Sequence, residues 1–102
     1  MLASSDLRIV RKLKRRLIET TPINRLVVYG SRARGDATPE SDLDVYLEIP
    51  SLTPILRRRI SEIAWEVSLD MGVVISTLVA SGSTPLSGQP IRMAIEKDGI
   101  VV

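Results

Sequence analysis

The sequence predicts a small α/β (α+β) domain, a mixed β-sheet with helices packed mainly on one face. Three observations lead there. Segments with helical spacing of apolar residues alternate with short strand-like runs along the chain. The clearest strand, residues 43–49, alternates apolar and polar side chains without a break. And 102 residues, 44% of them apolar, suffice for one core and not for two, so residues 1–102 read as a single domain.

The first helix is expected over residues 5–19. Leu7, Val10, Leu13 and Leu17 fall on one stripe, basic residues fill the other faces, and Ser4 or Ser5 is placed to cap it. Thr21-Pro22 stops it. Arg25 to Tyr29, RLVVY, reads as a buried strand that Gly30 closes abruptly. Residues 31–41 are small, polar and rich in turn formers, which predicts a turn with one helical turn inside it. In the strand over 43–49, Leu43, Val45, Leu47 and Ile49 point to one face, and Asp44, Tyr46 and Glu48, with Asp42 just before them, point to the other.

Pro50 ends that strand. Ser51 or Thr53 can cap a second long helix running to about Asp70, with Leu56, Ile60, Ile63 and Val67 as its buried stripe and Trp65 off it. Gly72 breaks to a third strand over residues 73–79. Ser76 marks the face of Val74, Ser76 and Leu78 as the polar one, although Thr77 argues the reverse. A loop over 80–90 follows, placed either to cover a site or merely to connect. A short helix over 91–97 and the Asp98-Gly99 turn precede the Ile-Val-Val tail.

Composition excludes several function classes. With no Phe, one Trp and two Tyr, the core must be aliphatic, and a module that stacks bases on rows of rings is disfavoured. Cysteine and histidine are both absent. That removes disulfides, structural zinc, thiol nucleophiles and Ser-His-Asp triads together. Any metal must be held by oxygen, which favours Mg²⁺ or Mn²⁺. A net charge of +2 is too near neutral to imply nucleic acid. Six basic residues between Arg8 and Arg16 and the run Arg57, Arg58, Arg59 read first as solvated helix faces, with an acidic partner or RNA as the alternative. No apolar run is long enough to cross a membrane and no signal-peptide core is evident, so the expected location is the cytoplasm.

The chemistry is concentrated in YGSRARGDATPESDLDV, Tyr29 to Val45. A strand, Gly-Ser and a small turn place backbone N–H groups and a hydroxyl where a phosphate can be cradled. Gly30 permits close approach, Ser31 supplies a hydroxyl, and Arg32 and Arg34 add cationic forks suited to phosphate oxygens. Asp42 and Asp44 then lie on one strand face about 7 Å apart along the chain. Such a pair repels itself unless a cation bridges it, so its natural ligand is Mg²⁺. A phosphate cradle beside a dicarboxylate describes phosphoryl or nucleotidyl transfer.

The string GSRARGDATPESDLDVYLEI, with Gly30-Ser31, ten further residues and then Asp42-x-Asp44, resembles the minimal nucleotidyltransferase (MNT) domains of the DNA polymerase beta-like nucleotidyltransferase superfamily. The element order agrees along the whole chain. The resemblance implies a mixed sheet flanked by helices, Gly30 and Ser31 at the nucleotide triphosphate, and Asp42 and Asp44 as catalytic metal ligands. It also implies a HEPN-domain partner, because many MNT proteins are antitoxins of MNT/HEPN pairs. Some transfer AMP from ATP onto a tyrosine of that partner and silence its RNase activity. Homo-oligomer formation stays open.

One departure from the family pattern matters. Active members usually carry a third carboxylate on the next strand, where this chain reads Met71-Gly72-Val73-Val74-Ile75-Ser76. Asp70 precedes that strand and is the only nearby candidate; its plainer reading is a surface carboxylate at a helix end. Two readings follow: an Mg²⁺-dependent transferase of AMP, or a degenerate domain that neutralises its partner by binding alone. Tyr29 is expected to pack in its strand rather than stack on a nucleotide. Trp65 is expected at the edge of the core, with a partner-facing anchor as the alternative.

Overall fold

In the computed structural model, which describes residues 2–81 and 90–102, the chain runs α1 (Ser4–Ile18), β1 (Arg25–Tyr29), α2 (Ser31–Arg34), β2 (Leu43–Ile49), α3 (Pro54–Met71), β3 (Ile75–Ser81), α4 (Pro90–Asp98) and β4 (Ile100–Val101). The sheet order is β3-β2-β1-β4. β1 is antiparallel to both β2 and β4, and β2 is parallel to β3. The parallel pair is the one joined through a helix, since parallel neighbours need a crossover.

The alternation in β2 sorts the molecule into two layers. Leu43, Val45, Leu47 and Ile49 are fully buried beneath α1 and α3, with Val10, Leu13 and Leu17 from one helix and Ile60, Ile63 and Val67 from the other. Leu26 and Val28 of β1 join them. The core is aliphatic, as the composition requires. On the opposite face, Val27, Tyr46, Ala80 and Ile95 of α4 form a smaller cluster. The two long helices therefore cover one face and α4 covers part of the other.

Several boundaries differ from the sequence reading. α1 begins one residue earlier, with Ala3 at the N-cap and no side-chain cap bond, so neither Ser4 nor Ser5 caps it. Its buried stripe is Asp6, Ile9, Val10, Leu13 and Leu17, with Leu7 only half-buried; a charged residue stands where an apolar one was expected. In α3, Thr53 caps the helix by accepting a bond from Leu56 N–H at 3.1 Å, and Pro54 occupies the first turn. Ala64 and Ser68 extend its stripe, Leu56 is half-buried, and Trp65 is 59% exposed.

β3 is displaced by two residues, to 75–81. Gly72 at φ +73° ends α3, and Val73 and Val74 serve as the return. Pairing starts where Leu43 N–H reaches Val74 O at 2.8 Å, and it continues to Ile49↔Ser81. The start of β2 therefore sets the start of β3. The expected loop over 80–90 lies, for residues 82–89, outside the described residues.

Candidate active site

β1 delivers its last residue, Tyr29, opposite Asp44 of β2, and β3 delivers Ser76 to the other side of the same aspartate. Asp44 thus stands between a phenol and a hydroxyl on the face away from α1 and α3. Strand alternation predicts Ser76 on this face, and it lies there. Asp42 is exposed at the entrance to β2, and Asp44 is half-buried.

Two influences hold the Asp44 carboxyl above the usual range. Burial contributes most and the charge of Asp42 adds to it, while Arg34 opposes both. Burial, and then the neighbouring Asp44 charge, likewise push the Tyr29 phenol up. This corner of the sheet carries an excess of negative charge that a cation would relieve.

Gly30 closes β1 at φ +78° and ψ −159°, a region that residues with a Cβ scarcely visit. A Cβ there would also run into the Asp44 carboxylate. Glycine is required here by the Asp44 side chain itself, a reason the sequence could not supply. Beyond Gly30, α2 is a single turn, with Arg34 N–H bonded to Gly30 O and with Gly35 at φ +88° ending it. Ser31 opens that turn and is half-buried.

The two arginines of α2 diverge. Arg34 is exposed, pairs with Asp36 at 3.2 Å and Asp98 at 3.8 Å, and acts electrostatically on Asp44. Arg32 is not brought to the carboxylates. Its Nη1 donates to Asp6 Oδ1 at 2.8 Å, Nε and Nη2 donate to Ser41 O at 3.0 and 2.8 Å, and Nη2 reaches Pro39 O at 3.3 Å. Its guanidinium is engaged by protein groups, so Arg32 is not the free fork expected from the sequence.

Asp70 is not brought to the site either. It sits exposed at the end of α3 and pairs with Lys12 of α1 in the helical layer, a contact that holds its carboxyl below the usual range. Among the described residues, no three carboxylates gather as a metal cage. The donor set fits a small hard cation all the same. Mg²⁺ is commonly held by one or two carboxylates and completes its shell with water and substrate phosphates. Asp6 is the residue that sequence reasoning missed; its one visible signal was an acid on the apolar stripe of α1.

A mixed sheet backed by two helices, with a glycine turn over paired carboxylates on the neighbouring strand, has the layout of a nucleotide-transferring domain. The chain belongs to the nucleotidyltransferase domain family, whose profile matches residues 10–102. No curated protein matches it. Among solved structures, a chain of a toxin–antitoxin complex with AMP-PNP is similar at TM-score 0.66 and 16% identity, over 97% of this chain and 72% of that one. A chain from the tri-AMPylated Shewanella oneidensis HEPN toxin in complex with its MNT antitoxin gives TM-score 0.56 at 15% identity, over 95% and 67%. A protein of Sulfolobus solfataricus assigned to the nucleotidyltransferases gives 0.52 at 19%, over 97% and 86%. At these identities the likeness establishes the shared fold.

Proposed function

We propose that this domain is the antitoxin of a toxin–antitoxin pair and moves AMP from ATP to a hydroxyl on a HEPN-type partner. The observation that carries the reading is the packing of Gly30 directly against Asp44, which joins the phosphate turn and the carboxylates in one site. The acceptor oxygen bonds to the α-phosphorus, the α–β anhydride breaks, and pyrophosphate and a proton leave. Asp42 and Asp44 would hold Mg²⁺ or Mn²⁺, which when bound neutralises phosphate charge. Gly30 and Ser31 hold the triphosphate, because the first turn of α2 leaves its leading N–H groups without helical acceptors. Arg34, exposed beside Asp44, is placed to offset charge that develops on the phosphates. The proposed location is the cytoplasm; among the described residues no helix is long and apolar enough to cross a membrane.

Two observations favour a second reading, neutralisation by binding alone. The position in register with Asp44 is Ser76 rather than an acid, and Asp70 is held by Lys12. Incubation with ATP labelled at the α-phosphate, Mg²⁺ and the HEPN-type partner separates the two. Label on the partner is expected, reduced about 1000-fold by Asp42→Asn, since a metal site supplies several kcal/mol of transition-state stabilisation. Asp70→Asn should leave it unchanged. A partner silenced without label would establish the second reading.

A further inference from the structure

We propose that Asp6 and Arg32 form a buried positioning pair that fixes Asp42 relative to the Gly30-Ser31 turn. The inference rests on the reading of Asp42 and Asp44 as metal ligands. The side chains of Arg32 and Asp6 are only 10% and 7% exposed, so this is an ion pair of the interior, bridging α1 to α2. From α2 the same guanidinium reaches the Ser41 carbonyl with two donors, Nε at 3.0 Å and Nη2 at 2.8 Å. That carbonyl belongs to the peptide unit leading into Asp42. The peptide unit leaving Asp42 is held as well, by Leu43 N–H to Val74 O at 2.8 Å. Asp42 is itself exposed, yet the planes on both sides of its Cα are pinned, one by Arg32 and one by the β3 entrance.

Arg32 also follows Ser31 directly in α2. One rigid fork therefore sets the spacing between the phosphate turn and the first carboxylate, and Asp6 holds that fork in orientation. Ser41 is further tied down by its N–H to Thr38 O at 3.0 Å and by Thr38 N–H to its hydroxyl at 2.9 Å. The connection over 35–41 thus reaches Asp42 as a fixed turn. A lysine at position 32 keeps the charge opposite Asp6 but has no planar fork to span Asp6 and Ser41 together.

Mn²⁺ titration with AMP-PNP present, amide exchange and thermal melting of the whole chain test this. Arg32→Lys should stay folded, bind Mn²⁺ about tenfold more weakly, the range seen when a group orienting a metal ligand is lost, and exchange faster at the Ser41 and Leu43 amides. Asp6→Asn should act in the same direction. Ile63→Val, a core change remote from the clamp, should lower the melting temperature and leave Mn²⁺ affinity unaltered. Parental affinity and parental exchange in Arg32→Lys would overturn the proposal, as would an equal loss of affinity in Ile63→Val. If the parent takes up no Mn²⁺, the metal reading fails, and the amide exchange of Arg32→Lys alone decides whether the clamp exists.

Discussion

Leu43, Val45, Leu47 and Ile49 leave β2 on one side and are wholly buried, whereas Asp42 is exposed and Asp44 half-exposed on the other. One strand serves both surfaces because its side chains alternate. The helical side is aliphatic and closed by α1 and α3. The other side carries a smaller apolar cluster, Val27, Tyr46, Ala80 and Ile95 with Leu78 and the ring of Tyr29 packed against it, and it turns polar toward Asp44 and Ser76. The first face supplies the stability that lets the second keep two carboxylates together. Some charges of the helical layer are matched across it. Lys12 pairs with Asp70, and Arg16 with Glu66 at 3.2 Å, so part of the basic run in α1 joins that helix to α3.

If this division is right, substitutions on the two faces of β2 should behave in opposite ways. The largest stability effect is expected from Leu47→Ala, about 3 kcal/mol by loss of buried methyl groups and the cavity left behind. Urea unfolding would measure it, and a loss below about 1 kcal/mol would show that the helical layer is not the main core. Next comes Gly30→Ala, expected to cost about 2 kcal/mol because alanine scarcely adopts this backbone conformation. It should also weaken Mn²⁺ binding, since the new Cβ and the Asp44 carboxylate compete for space. A variant with parental stability and parental Mn²⁺ titration would break the link between turn and carboxylate.

Ser76→Asp sharpens the comparison further. A third carboxylate in register with Asp44 should tighten Mn²⁺ roughly tenfold by adding a charged ligand. Without metal it should lower stability by about 0.5 kcal/mol, as like charges side by side do. Raised AMP transfer in this variant would mark the parent as a degenerate enzyme; unaltered Mn²⁺ affinity would place position 76 outside the metal's reach.

The smallest effect concerns Asp44→Asn. Because the folded chain holds the Asp44 proton more tightly than the unfolded one, this group favours folding at low pH. That contribution is lost as pH rises through its raised value. The asparagine should therefore stabilise the fold near neutral pH by about 0.5 kcal/mol, a modest figure because solvent screens a half-exposed pair. Mn²⁺ must displace the same proton, so affinity in the parent should fall as the pH drops through that raised value. A metal titration flat across the range, or an asparagine variant less stable than the parent, would contradict the charge excess at this corner.

Most of the architecture was legible because local pattern and final packing agree. β1 and β2 occupy the residues their apolar runs predict, and the helices lie within a residue or two of their expected ends. The Gly30-Ser31 and Asp42-x-Asp44 pattern was also visible, since those residues are neighbours through a single strand–turn–strand unit. Apart from the local cap of α1, what failed was whatever depended on a partner distant in sequence. β3 shifted because its start is set by β2. Ser4 and Ser5 do not cap α1.

Arg32 and Arg34 show the limit most plainly. They are alike in sequence, two residues apart on one helical turn, and both fitted a phosphate-binding role. Composition and strand period fix an aliphatic core, an oxygen-only donor set and two carboxylates directed to one face at β2, without reference to the rest of the chain. The packing of elements in three dimensions gives Arg32 to Asp6 and Ser41, gives Asp70 to Lys12, and sets Ser76 beside Asp44. A side chain's partner is set by which elements pack together, and charge and reach alone leave that choice open.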